Sequence, residues 1–190
     1  LSLRRTGTLA HLRHANLPKS VVARNDLIEV RFDTASAAFT LIDRRTGEER
    51  RQNPADGVAV LAAKEISGRL NLRLLEPSEM RELDVSVELV ENAAEVVMEI
   101  ASTGDMETAL AFPAAFESKP GEFLILPVNE GISYPVDDES LPTMSYHLYG
   151  GHGLCMGWYG VTDGESGMLT IVETPDDAAV HVPRHEGRLY

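Results

Sequence analysis

The sequence predicts an all-β fold, an antiparallel β-sandwich, and three observations indicate it. Apolar and polar residues alternate with a period of two in several segments, as they do in strands with one buried face. Turn-forming residues separate these segments at short, regular intervals. No segment combines a helical period with a capping residue and sufficient length. A succession of strands joined by short turns is typical of a sandwich.

The first half of the chain carries the clearest alternation. Ile28, Val30 and Phe32 alternate with charged residues, which predicts a strand with one solvent-exposed face. The predicted strands of this half cover residues 28–32, 37–42, 70–74, 83–89 and 96–100. Gly47 ends the turn after residue 43 because glycine adopts a positive φ without strain. A second turn is predicted near Asn92.

The second half is also rich in predicted strands, although turns interrupt it more often. Strands are predicted at residues 123–126, 143–149, 155–161 and 168–173. The first of these is apolar throughout, and Pro127 ends it. Residues 108–116 could form one helical turn, but Pro113 argues against a longer helix.

The chain divides, on this reading, into a short lead-in and one domain. Residues 1–20 contain several basic residues and no acidic one, and we interpret them as a lead-in or linker. Residues 21–190 form the predicted β-sandwich domain, which we expect to be truncated. The chain starts at Leu1 rather than at a methionine, so we expect its natural N-terminus to be missing.

The charge of the chain argues against several classes of partner. Its net charge is −13, and residues 101–190 hold 3 basic and 14 acidic side chains. Nucleic acids and anionic membranes attract clustered lysine and arginine, so neither is an expected partner. The longest apolar runs, such as Val58 to Ala63, are far shorter than the roughly 18 residues that cross a bilayer. Cys155 is the single cysteine, which leaves no internal disulfide.

Aromatic residues concentrate in the second half, and they are the candidates for contact with a sugar. Nine of the eleven aromatic residues lie at or after Phe112. Aromatic rings pack against the C–H faces of sugars, and their polar groups can bond hydroxyls. The predicted carbohydrate-contact residues are Tyr146, His147, Tyr149, His152, Trp158 and Tyr159. Rings on strands also commonly face a core, and that alternative stays open.

No residue is predicted to be catalytic, and no metal or cofactor is expected. The chain lacks a Gly-x-Ser-x-Gly elbow, a P-loop and a dinucleotide fingerprint. His147 and His152 flank two glycines with a spacing that matches no metal motif. Cys155 stands in an apolar stretch, which predicts a buried, unreactive thiol.

Several segments resemble the N-terminal β-supersandwich of large glycoside hydrolases, a galactose-mutarotase-like domain. The resemblance rests on Asn25–Asp33, Phe39–Asp43, Thr46-Gly47, Leu126–Gly131, Tyr134-Pro135, Gly157–Asp163 and Gly167–Ala178. It is strongest to the endo-α-N-acetylgalactosaminidase-like hydrolases and related uncharacterised families, and it covers roughly residues 21–183. Each matching motif is a turn or strand pattern, and none is a catalytic signature.

The resemblance implies a non-catalytic accessory domain that packs against a catalytic barrel elsewhere in the parent protein. The partners expected on this basis are that catalytic domain and an oligosaccharide, with residues 142–153 as a loop that could shape the cleft. An independent carbohydrate-binding module is the first alternative. The second is a mutarotase- or epimerase-like enzyme with His147 or His152 as acid and Glu173 as base.

Overall fold

The structure, a computed structural model, describes residues 16–55, 57–104, 108–149, 153–185 and 187–189. These residues form strands and their connections, and they include no helix that could cross a membrane. Every pair of hydrogen-bonded strands is antiparallel. The prediction of an all-β antiparallel sandwich is therefore confirmed. The chain separates into two compact units, Leu1–Phe116 and Glu117–Tyr190, a division that the sequence analysis did not make.

The first sheet of the first unit is a four-stranded meander. Its strands, in spatial order, are β1 (Ser20–Arg24), β2 (Ile28–Asp33), β3 (Ala38–Asp43) and β4 (Glu49–Arg51). Gly47 has a φ of 77° in the turn between β3 and β4, as the sequence predicted. Most of the predicted lead-in, residues 1–15, lies outside the described residues.

The second sheet of this unit is also a meander. Its strands are β5 (Ala59–Ile66), β6 (Arg69–Glu76), β7 (Arg81–Leu89) and β8 (Val96–Ser102). The period-two pattern of β6 and β7 decides their orientation, because buried leucine and valine residues alternate with mainly polar residues. Asn92 has a φ of 60° in the predicted turn before β8.

The two sheets of the first unit enclose one apolar core. Phe32 and Phe39 pack with their ring centroids 4.8 Å apart, and Phe112 lies 6.3 Å from Phe39. The inward leucines and valines of β6 and β7 complete this core. Residues 108–116 could have formed one helical turn, but the described part of this segment is irregular and buries Phe112.

The outer face of the second sheet carries charged residues in cross-strand pairs. Arg69 on β6 is paired with Glu88 on β7. Arg73 lies 3.4 Å from a carboxylate oxygen of Asp84 and 3.9 Å from one of Glu82. We call these five residues the charged face.

The second unit contains one four-stranded sheet and two small ones. The larger sheet has the order β10 (Ile132–Pro135), β9 (Phe123–Leu126), β12 (Trp158–Thr162) and β13 (Gly167–Ile171). The small sheets pair β11 (Met144–His147) with β14 (Ala179–Val182), and β15 (Arg184–His185) with β16 (Arg188–Leu189). Its core contains the buried residues Leu124, Leu126, Val136, Leu148, Leu154, Val180, Val182 and Leu189. The sequence analysis did not predict β10, β14, β15 or β16.

Candidate functional site in the second unit

All six predicted sugar-contact residues belong to the second unit, and the five that the structure describes do not share one surface. His152 lies outside the described residues. Tyr146 and His147 are on β11, Trp158 and Tyr159 are on β12, and Tyr149 follows β11. Adjacent residues on a strand point to opposite faces, so each neighbouring pair is divided between two surfaces.

Tyr146 and Tyr159 are half-buried and pack against the core of the second unit. The Tyr146 hydroxyl lies 3.7 Å from the sulfur of Met144. Burial raises the pKa of the nearby Tyr134 phenol, and a hydrogen bond with Tyr146 raises it further. Both rings therefore contact the core, the alternative left open above, and their contact with a sugar stays a prediction.

Tyr149 and His147 are exposed, and backbone hydrogen bonds join both residues to Leu154. The Leu154 amide donates to the His147 carbonyl at 3.0 Å, and the Tyr149 amide donates to the Leu154 carbonyl at 3.0 Å. Tyr149 has a φ of 57°, and 66% of its surface is exposed. The predicted cleft loop, residues 142–153, contains strand β11 and residues 150–152, which the structure does not describe.

Trp158 lies on the opposite side of β12 from Tyr159. Its ring NH donates to the sulfur of Met156 at 3.3 Å. Trp158 pairs with Ile171 across the β12–β13 ladder, and directly paired residues point to the same side of a sheet. Trp158 and Tyr159 therefore cannot form one binding platform, and Trp158 joins a different group of residues.

That group covers the outer side of the larger sheet. The register aligns Ile125 with Gly160 and Ser133, and it aligns Phe123 with Thr162 and Pro135. The ten outward positions are Phe123, Ile125, Ser133, Pro135, Trp158, Gly160, Thr162, Gly167, Leu169 and Ile171, and none carries a charge. We call the surface formed by Phe123, Ile125, Trp158, Leu169 and Ile171 the apolar face.

Exposure distinguishes this surface from a core. The exposed fractions are 40% for Phe123, 58% for Leu169 and 64% for Ile171. Gly160 allows β13 to pack closely here, since a Cβ at this position would stand 3.4 Å from Leu169 Cδ1 and 3.0 Å from the Met168 carbonyl oxygen. Contiguous exposed apolar patches commonly mark interaction sites.

Sequence reasoning missed this surface, although a signal for it was present. Residues 123–126 are apolar at all four positions, and a strand that is apolar on both faces indicates burial on both. The described structure covers only the inner side of β9, where Leu124 and Leu126 are buried. The outer side of β9 is as apolar as a buried surface, but no described residue covers it.

Acidic residues stand at both ends of the β12–β13 hairpin. Asp163 and Glu165 are in its turn, and Glu173 follows β13. Backbone amides of Ser166 and Glu165 donate to the Asp163 carboxylate at 2.7 and 2.9 Å. These hydrogen bonds lower the pKa of Asp163, so its negative charge is held at neutral pH. Residues 117–190 together contain 12 acidic and 3 basic side chains.

The remaining reactive side chains do not assemble into a site. Within the described part of the chain, no group of three or more His, Cys, Asp or Glu side chains could hold a metal ion. Cys155 was predicted to be buried, and this was wrong: the residue is exposed. Its thiol lies 2.9 Å from the Pro127 carbonyl oxygen. The apolar residues next to Cys155 in the sequence therefore do not bury its side chain.

Comparison with solved structures finds a related fold. The chain is similar to the α-N-acetylgalactosaminidase NagBb from Bifidobacterium bifidum, with a TM-score of 0.52 and 14% identity in the ligand-free structure. For the GalNAc complex of the same enzyme, the TM-score is 0.53 and the identity is 13%. Sequence comparison with known protein families and with curated proteins gives no match.

Both matches cover most of this chain but only a part of the NagBb chain. They include 89% of this chain but only 31% and 32% of the NagBb chain. The chain therefore spans about a third of the length of the structures that it matches. At such low identity the likeness shows a shared fold, and it carries over no residue of the enzyme.

Proposed function

We propose that this chain is a non-catalytic β-sandwich accessory domain of a carbohydrate-active enzyme. It acts as a scaffold that packs against a catalytic domain of the same parent protein and lends a wall to the substrate cleft. The fold, on this proposal, is a supersandwich of the galactose-mutarotase type. The function therefore requires structural contacts rather than a catalytic group within residues 1–190.

The observation that carries the proposal is the extent of the structural match. Nearly the whole chain, 89%, aligns with about a third of a glycoside hydrolase, NagBb. A domain-sized match inside a larger enzyme is what an accessory domain predicts, although fold alone does not establish function. The apolar face adds support, because a scaffold needs a surface that another domain can cover.

A turnover assay on the purified 190-residue chain tests this proposal. Chromogenic glycosides, including an N-acetylgalactosaminide, would report hydrolysis, and NMR of free sugars would report exchange at the anomeric carbon. We expect no rate above that of a heat-denatured control. Hydrolysis would refute the accessory role. Anomeric exchange would favour the epimerase-like alternative, and His147→Ala and Glu173→Gln would then test its acid and base.

One observation favours a second candidate function, an independent carbohydrate-binding module. The side chain of Tyr149 is largely exposed, and so is that of His147, which is also hydrogen-bonded to Leu154 through its backbone. Exposed aromatic rings are typical platforms for sugars. The half-buried Tyr146 and Tyr159 take no part in this candidate platform.

A glycan array separates the two candidates. Binding by the folded chain that disappears in Tyr149→Ala but persists in Tyr159→Phe would support a binding module with Tyr149 in its site. Trp158→Ala is the second informative variant, because Trp158 belongs to the apolar face. Binding that disappears in this variant would place the sugar on the apolar face and not at Tyr149. An array that stays silent with folded protein would reject the module and leave the scaffold.

A further inference from the structure

We propose that the apolar face docks a further folded domain of the same polypeptide, and that this domain presents an apolar patch bordered by lysine and arginine. This inference rests on the proposed accessory function and names its contact surface.

The composition of the face is that of a covered surface. Its outward positions on four adjacent strands include five large apolar side chains and no charged one. The charged face of the first unit has the same strand geometry but carries arginine and carboxylate pairs. Surfaces of sheets that face water are normally polar, so the apolar face requires a partner.

The size of the face favours a tethered partner over a separate one. The whole outer side of this sheet, which includes the face and the outward Ser133 and Pro135 of β10, is four strands about 4.8 Å apart and about five residues long and covers about 300 Å². Two such surfaces together bury about 600 Å², which falls below the roughly 1,200 Å² of stable complexes between separate proteins. It reaches the range of contacts between domains of one chain, about 600 to 1,500 Å². Tethering supplies the missing affinity through a high effective concentration.

The charge around the face specifies its partner. Glu165 and Glu173 lie at opposite ends of β13 and are exposed, and residues 117–190 carry nine more acidic than basic side chains (12 minus 3). A second copy of this chain would bring two such acidic surfaces together, which like-charge repulsion opposes. A surface bordered by lysine and arginine is complementary.

Photo-crosslinking in the natural polypeptide tests the proposal. The crosslinking residue p-benzoylphenylalanine replaces Leu169 on the apolar face, and in a matched control it replaces Asp84 on the charged face. We expect crosslinks from position 169 to residues of the same polypeptide outside 1–190, at a yield at least tenfold above that from position 84. Mass spectrometry identifies the joined peptides.

Three outcomes would overturn the docking proposal. One is a gene that encodes no folded domain beyond these residues. Another is a set of crosslinks confined to residues 1–190 of the same or a second copy. The third is equal yield from positions 169 and 84. A polypeptide that cleaves glycosides but gives no crosslink from position 169 would refute this docking surface while leaving the accessory function intact.

A charge reversal tests the chemistry assigned to the partner. The double variant Glu165→Lys/Glu173→Lys makes the border of the face basic without changing the apolar side chains. We expect the crosslink yield from position 169 to fall several-fold. Added salt should also lower the crosslink yield from position 169 in the polypeptide that keeps both glutamates. An unchanged yield in both experiments would refute the basic border of the partner.

Discussion

The charged face of the first unit and the apolar face of the second are built on the same geometry. Each is the outer side of a four-stranded antiparallel sheet whose inner side covers a core. On β6 and β7 the outward positions carry arginine and carboxylates, whereas on β9 and β13 they carry Phe123, Leu169 and Ile171. Alternate residues of a strand therefore indicate what each of its two sides contacts, in addition to indicating that a strand forms.

The two units also treat polar groups differently. In the first unit, surface carboxylates are held ionised by arginine neighbours, as Asp43 is by Arg45. In the second unit, backbone amides hold the Asp163 carboxylate ionised, and burial raises the pKa of the Tyr134 phenol. Four variants test these differences between the two units.

The largest effect is expected from the one place where the charged pairs of β6 and β7 turn inward. Arg81 and Glu76 are both buried, and Arg81 Nε donates to Glu76 Oε2 at 2.8 Å. Its guanidinium also donates to the Thr108 carbonyl at 3.2 Å. Arg81→Ala would leave a buried carboxylate unpaired and lower the free energy of unfolding by about 3–5 kcal/mol.

Hydrogen exchange at the amides of β6 and β7 measures this loss. The matched control is Arg69→Ala, which removes the exposed pair with Glu88 on the same hairpin and should change stability by no more than about 1 kcal/mol. Equal losses in the two variants would contradict the distinction between the inward and outward pairs.

The second prediction concerns the apolar face. Leu169→Glu/Ile171→Glu should lower the binding of the fluorescent apolar probe ANS to the folded chain several-fold, because it places two charges on the face. Both side chains are largely exposed, so each substitution should change the unfolding free energy by no more than about 1 kcal/mol. Lys64→Glu on β5 is the control, and it should leave probe binding unchanged. Undiminished probe binding in the double variant would show that the probe binds elsewhere.

The third prediction concerns Asp43, whose pKa is lowered from 3.8 to about 2, mainly by a side-chain hydrogen bond from Arg45. A lowered pKa in the folded state means that its stabilising effect is complete above pH 3.8 and is lost as the pH falls toward about 2. Arg45→Ala should raise the pKa of Asp43 toward 3.8, which a carboxyl NMR titration would measure. Arg51→Ala, which removes the partner of Glu49, should leave the pKa of Asp43 in place.

The smallest effect is expected at the half-buried phenol of Tyr134. Burial and the hydrogen bond with Tyr146 raise the pKa of Tyr134 above 10.0, so its contribution to stability is present below pH 10 and is lost as the pH rises further. Tyr146→Phe should lower this pKa only in part, because burial remains. Absorbance titration of the phenolate would measure it, with Tyr159→Phe as control. A pKa that does not move would assign the whole shift to burial.

The local pattern of the sequence was sufficient for most of the first unit. Val30 and Phe32 on β2, and the leucines of β6, alternate with polar residues in the order that the structure buries them. This succeeds because side chains on a strand alternate between two environments, and one buried face leaves a readable period of two. The second unit was harder, since its strands are short and several pair residues distant in sequence, as β11 pairs with β14.

The candidate site divides between sequence and tertiary structure in the same way. The sequence alone was enough to predict the all-β class, the concentration of aromatic residues at or after Phe112 and the acidic second half. The structure was needed to show that Tyr159 faces the core while Trp158 faces outward. It was also needed to show that Leu169 and Ile171 on β13 lie on the same surface as Phe123 and Ile125 on β9, with β12 between them. The physical reason is register: alternation names two faces of each strand, but only the hydrogen-bonded pairing of distant strands joins those faces into a surface.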